Sequence, residues 1–233
     1  TDVNSSATDD GTNDVTLITT VGDILVLTIA AGGENDVKLI AAGAISEDGV
    51  AGTVLTADEL TAVAAGGGIT LDTAIATADV AATGAGDIDL AETDAVDLVS
   101  VVTHAGGITV ESGGPLTATL VDSSATDDGT NDVTLTTTSG DISVVTINAG
   151  SANDVTLTSV SAITEDDDAA TVVTADELTA TAGGSITLDT TVATADLAAT
   201  VAGDIDIDET DLITMLLKER SQKSTSYSSR TVN

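Results

Sequence analysis

The sequence predicts an all-β fold: a single-stranded parallel β-helix (β-solenoid) of about ten coils of roughly 20 residues. Three observations point there. The 233-residue chain contains a long internal repeat, residues 5–17 reading SSATDDGTNDVTL and residues 123–135 reading the same. Inside each copy a shorter period brings one Ile after a small or acidic residue every 19 to 24 residues. The chain is rich in Val, Ile, Leu, Thr and Ala and has no Phe or Trp and one Tyr. A slender stack of coils has little room for rings, so that composition suits it.

The long repeat sets the organisation. Gly22-Asp23-Ile24 returns as Gly140-Asp141-Ile142, and Asn35-Asp36-Val37 as Asn153-Asp154-Val155, at an offset of 118 residues. Thr56-Ala57-Asp58-Glu59-Leu60-Thr61-Ala62 returns almost unchanged at 174–180. After one deletion near Gly184 the offset is 117, and Gly86-Asp87-Ile88-Asp89 returns as Gly203-Asp204-Ile205-Asp206. Roughly seven aligned positions in ten are identical, as in a recently copied unit. The expected units are 1–118, a first copy; 119–212, a truncated second copy continuous with it; and 213–233, a capping segment with a flexible basic tail. The start at Thr1, in mid-pattern and without Met, reads as a processed product or a piece of something longer.

The short period supplies the strands. Ile anchors stand at 24, 45, 69, 88 and 108, and again at 142, 163, 186 and 205. Only the step from Ile108 to Ile142 is irregular, and it contains the polar stretch Asp122 to Asp132. A second apolar strand starts between anchors at Val15, Val37, Leu60, Val80, Leu98, Val133, Val155, Leu178 and Leu197. Each unit thus holds two short alternating strands separated by Gly, Asp, Asn and Ala turns. Such strands close no core alone. Stacked at about 4.8 Å per coil they do, giving a rod on the order of 50 Å with Ile-on-Ile and Val-on-Val ladders. The alternative is tandem β-sandwich domains of about 118 residues. It leaves the short period unexplained and calls for aromatic core residues that are absent.

Charge narrows the function classes. The chain carries 39 acidic and 5 basic residues, a net charge of −34. It repels phosphate, which excludes nucleic-acid binding. The absence of Cys excludes disulfides, thiolate metal sites and thiol nucleophiles. A hydrophobic fraction of 42% separates it from disordered acidic chains. No apolar run approaches the roughly 18 to 20 residues of a membrane span.

The Gly-x-Ile-x-Leu/Val units, the two-strand coils and the near-identical long repeats resemble the filamentous-haemagglutinin type of large bacterial surface protein. More loosely they are similar to giant repetitive adhesins of marine bacteria. The resemblance covers roughly residues 1–212 and rests on repeat style. It implies a secreted, extracellular rod used for attachment, spacing or sheath building. On that reading the chain is a non-enzymatic structural or adhesive segment. Its expected partners are its own ends, in filaments, and a host or neighbouring-cell surface.

Several residues are candidates for more. The turns carrying Asp9, Asp10, Asn13 and Asp14, and Asp127, Asp128, Asn131 and Asp132, offer hard oxygen ligands of the kind Ca²⁺ prefers. The alternative is a solvated Asx turn. Gly32 to Leu39 resembles one degenerate calcium nonapeptide. In Asp204-Ile205-Asp206-Ile207-Asp208 period 2 sets the Ile on one face and the three Asp on the other. Asp87, Asp89, Glu92 and Asp94 are expected to form a similar acidic row. Such rows read as a solvated face suited to salt, and paired carboxylates in a polysaccharide-degrading solenoid are the less favoured reading. Thr16, Thr134, Thr136, Thr138, Thr156, Thr158 and Thr187 suggest outward Thr rows, as in ice-binding solenoids, although no strict Thr-x-Thr motif is expected coil after coil. His104 has no metal or triad partner type near it and reads as an exposed turn residue. Lys38, the only basic residue before position 218, reads as a surface ion-pair former. Ile213, Met215, Leu216 and Leu217 are expected to form a short capping helix.

Overall fold

The computed structural model describes residues 2–6, 10–49, 52, 54–166, 173–201 and 203–209, together with the backbone alone at 172, 214–219 and 228–229. Among these residues there is no helix, and every strand pairing is parallel. Each interior strand pairs with the strands about one coil before and after it, forming a β-solenoid of about 9 turns and about 21 residues per turn. A sandwich, built from antiparallel sheets, is thereby excluded.

Each coil lays one segment on each of two faces. On face one the inward rungs run Ile24, Ile45, Ile69, Ile88, Ile108, Val133, Val155, Leu178 and Ala195, and the backbone at Met215 continues them. On face two Val15, Val37, Leu60, Ala78, Leu98, Ala118 and Val144 pair in turn. The inward side chains of both faces form one contiguous core. Alternation explains it: Val37–Ala41 buries Val37, Leu39 and Ala41 and exposes Lys38. On face two Ala78, not Val80, lies opposite Leu60, while Val80 lies opposite Ala62. Both point inward, so the sequence pattern left the pairing ambiguous by one dipeptide.

The Ile-on-Ile expectation holds within each copy and fails between them. Ile108 is followed by Val133, and Ile142 stacks on Leu116 of the other face. The cause is an additional strand segment, Leu116–Ala118 and Val121–Asp122, inside the irregular step. It gives the 118-residue unit eleven face segments, an odd number, hence five and a half coils. The second copy therefore continues the stack half a coil out of phase. Every duplicated feature appears once on each side of the rod.

The corners are tight because coils approach through glycine. A Cβ on Gly106 would lie 2.2 Å from the Gly86 carbonyl oxygen and 2.4 Å from its carbon. We expect Gly106→Ala to cost about 2 kcal/mol, since backbone there has to move. Urea denaturation, with the m-value unchanged, measures it.

The expected capping helix is not formed. Thr214–Glu219 is a strand paired with the preceding coil, Thr194↔Thr214 through Ala199↔Glu219. Met215 and Leu217 occupy the register of inward Ala195 and Leu197, so the apolar spacing is a strand period rather than a helix stripe. Ser228–Ser229 pairs with Asp208 and Glu209, and the rest of the expected tail lies outside the described residues.

Candidate functional site

The acidic turns are the first candidate, and their carboxylates are largely engaged with backbone. Asp14 Oδ1 accepts the Asp36 N–H at 3.0 Å, and Asp36 Oδ1 accepts the Glu59 N–H at 3.2 Å. Asp132 and Asp154 repeat this half a coil out of phase, accepting from Asp154 at 2.9 Å and Glu177 at 3.1 Å. The Gly-Asp-Ile aspartates do the same: Asp23 accepts from Ala44, Asp87 from Gly107 and Asp141 from Ala162. Each bond joins one coil to the next at a corner, where strand pairing lapses. Asp there supplies an acceptor the sheet ladder lacks.

Within the second turn Asp127 accepts from the Ser151 N–H, the Ser151 hydroxyl and the Ala152 N–H at 2.9, 2.8 and 2.6 Å. These bonds hold its carboxyl below the usual aspartate range. Its contribution to stability is present above the ordinary Asp pKa and is lost as pH falls through the lowered one. Asp128 accepts from Thr130 inside its own turn, and Gly129 there takes a φ of 79°. Asn131 Nδ2 donates to the Thr126 carbonyl. In the first turn Asp10 accepts from the Thr12 hydroxyl and from Asn13 Nδ2. Asp9 lies outside the described residues. Among the described residues no group of three or more His, Asp or Glu side chains converges as a metal site.

Beneath each turn sits a residue whose role the sequence did not show. Asn153 is fully buried. Its Oδ1 accepts the Gly129 and Asn131 N–H groups at 2.8 and 3.1 Å. Its Nδ2 donates to the Ala149 and Thr126 carbonyls at 2.7 and 3.3 Å. All four hydrogen-bonding positions of the amide are thus used. Asn35, equally buried, accepts from Thr12 and Asn13 and donates to Ala31. Of the stretch that resembles a calcium nonapeptide, residues 32–36 run along a turn pinned by this buried amide and Val37, Lys38 and Leu39 belong to a strand.

The expected acidic row divides. Asp89 is exposed on face one, as are Asp206 and Asp208 on face two. Burial raises the Asp89 pKa first, with Asp72, Asp87 and Glu111 adding to the rise. Glu92, placed in that row from sequence, is instead buried. It stands four residues after Ile88, and even spacing turns it inward. Glu92 Oε2 accepts the Thr73 hydroxyl at 2.7 Å and the Ile75 N–H at 3.1 Å, and Oε1 accepts the Asp94 N–H at 3.0 Å. Burial pushes its pKa up, and these bonds oppose that. The pair recurs as Thr190 and Glu209, also buried and 2.7 Å apart. Glu92 belongs to an inward polar column with Thr73, Ser112, Thr137 and Ser159 in register. The Ser112, Thr137 and Ser159 hydroxyls reach backbone carbonyls or each other, as Ser112 to Gly114 and Thr137 to Ser159.

The threonine rows are more regular than the sequence suggested. Thr134, Thr156 and Thr179 align, and so do Thr136, Thr158 and Thr181, giving an outward Thr-x-Thr on three successive coils. Thr109 extends one row, while Glu111 below and Asp196 and Ala198 above end the pattern. The motif is hidden in the sequence because coil lengths differ. Thr138 is exposed beyond the strand, and Thr16 and Thr187 lie on face two. His104 is exposed near the end of the strand Val96–Ala105, not in a turn. Lys38 is exposed on face two between Thr16 and Thr61. Among the described residues no helix is long and apolar enough to cross a membrane. Compared with protein-family models, with curated proteins and with solved structures, the chain matches none.

Proposed function

We propose that the chain is a structural, adhesive rod segment of an extracellular bacterial repeat protein, a spacer whose length is set by repeat number. The observation that carries this reading is the use of surface aspartates as links from coil to coil. The acidic residues that keep the rod dispersed in salt also tie it along its axis. Parallel ladders resist extension because each step shares its load among several hydrogen bonds. The reading includes attachment to a host or neighbouring-cell surface and end-to-end filaments, and it involves no catalytic step. The test is length. Placing one further copy of residues 1–118 ahead of Thr1 adds five and a half coils, about 26 Å at 4.8 Å per coil. Small-angle scattering is expected to show that increment at constant cross-section. A thicker or collapsed particle overturns the reading.

Calcium belongs to this reading only as a stiffener of the turns. A ligand of the folded state raises Tm, so melts with calcium and with chelator, at matched ionic strength, decide it. A second reading, ice binding, is favoured by the aligned Thr-x-Thr coils, spaced about 4.8 Å between coils and about 6.7 Å along a strand. Thermal hysteresis that is abolished by Thr156→Lys supports it, and its absence in the unsubstituted chain removes it.

A further inference from the structure

One outward column differs between the two copies of the long repeat in a way the core does not require. On face two Ile18, Ile40, Val63, Ala81 and Val102 stand in register on five successive coils, and Asp122 ends the column. At the coil spacing they make an aliphatic stripe about 19 Å long. Alternation turns them away from the core: Ile40 lies between buried Leu39 and Ala41, and Val63 between buried Ala62 and Ala64. The second copy carries Thr136, Thr158 and Thr181 where the first has Ile18, Ile40 and Val63. Those threonines form one row of the Thr-x-Thr array on face one.

The inward residues do not change with them. Val37, Leu39, Leu60 and Ala62 return as Val155, Leu157, Leu178 and Ala180, all buried. β-branched Thr, Ile and Val all suit an outward strand position, so the coils stack with either set. The aliphatic set on face two therefore acts outside its own coil.

Charge on this face is one-sided. One margin carries Asp36, Glu59 and Asp97, just before the inward Val37, Leu60 and Leu98. The margin beyond the stripe carries Ala65, Thr83 and His104, which are exposed and not acidic. Two copies with antiparallel rod axes, related by a two-fold along the strands, would set Glu59 against Glu59. A two-fold parallel to the rod axis lays stripe on stripe and sets each acidic margin against the acid-free margin of the other copy.

We propose that this stripe is a side-by-side contact between two copies of the chain, with rod axes parallel and Val63 near the two-fold axis. The contact is lateral, separate from end-to-end joining, and rests on the rod reading only for a rigid stack of coils. Five coils of one face offer on the order of 400 Å² per copy, half of a standard interface, so the dimer is weak.

Sedimentation equilibrium of the full chain, up to about 1 mM, is compared with the double variant Ile40→Thr, Val63→Thr. That variant installs the residues the second copy already holds at 158 and 181. The expected result is a reversible dimer in the parent and a dissociation constant raised at least tenfold in the variant, with circular dichroism unchanged. Val63→Lys alone is expected to act in the same direction. Salt is expected to tighten the dimer, because it screens repulsion between two chains of net charge −34. Orientation is read from a spin label on Thr187→Cys, outward on face two in a chain without other Cys. Parallel axes place the two labels about 30 Å apart, and antiparallel axes about 60 Å apart. A monomer throughout, a dimer equally stable in the variants, or labels about 60 Å apart overturns the proposal. Small-angle scattering of the same samples reads the rod separately: a monomer of rod-like cross-section leaves the rod reading standing, and a collapsed particle overturns both. Particles that lengthen rather than thicken with concentration assign self-association to the ends and overturn the lateral contact.

Discussion

Asn153→Ala is expected to lower stability by about 3 kcal/mol, among the largest effects of any single change outside the aliphatic ladders. The amide is fully buried and makes four hydrogen bonds, so its removal strands two N–H groups and two carbonyls at one corner. Each buried group without a partner costs about 1 to 3 kcal/mol, and water entering the vacated space recovers part of that. Asn153→Asp keeps the shape and is the sharper test. It turns a donor pair into an acceptor facing the Ala149 and Thr126 carbonyls, and at neutral pH it buries a charge. Asn153→Asp is therefore expected to melt below Asn153→Ala at pH 7, with the gap narrowing on acidification as the carboxyl gains a proton it can donate. Equal melting of Asn153→Ala and the parent chain would show that the corner holds without the amide.

The fold was legible in the sequence because its two periods are explicit. The Ile anchors locate face one of the first copy and face two of the second, and alternation assigns the inward set. The half-coil slip was not legible. It depends on Leu116, Ala118 and Val121 lying in strands, and that segment follows Pro115 and has no Ile anchor. The Thr-x-Thr alignment was hidden for a related reason: rungs 22 and 23 residues apart align in space but not under a fixed period. The turn acids were legible as a group, and the hydrogen-bond partner of each was not. Composition marks Asp14 and Asp132 as ligand-type residues, while only coordinates show their oxygens directed at the next coil's N–H groups. Glu92 was assignable by parity from Ile88, and the acidic residues around it obscured that signal.

Stability is expected to rise as pH falls from 7 toward the ordinary glutamate pKa, opposite to the common behaviour of salt-bridged carboxylates. Glu92 has its pKa raised in the folded state, chiefly by burial, so the folded chain binds its proton more tightly than the unfolded one. Stability from that proton is complete below the unfolded pKa of about 4.3 and is lost as pH rises through the raised value. Asp89 and Glu47 act in the same direction, each raised first by desolvation and then by neighbouring acids. Asp127 acts oppositely, and only at pH values below the ordinary Asp pKa. The melting temperature is therefore expected to pass through a maximum in mildly acid solution. Salt separates the causes. Repulsion among Asp72, Asp87, Asp89 and Glu111 is screened over a Debye length of about 3 Å at 1 M, whereas the desolvation of Glu92 is not. High salt should raise Tm at pH 7 and flatten the part of the pH dependence that comes from the surface acids. What persists should respond to Thr73→Val, which removes the hydroxyl donating to Glu92 Oε2 and so raises its pKa further. The pH above which Tm stops falling is expected to move upward in Thr73→Val, with Tm lower at pH 7 than at pH 5 by more than in the parent. A Tm that falls steadily from pH 7 to pH 5 would mean that Glu92 is held chiefly by its hydrogen bonds and is ionised at little cost.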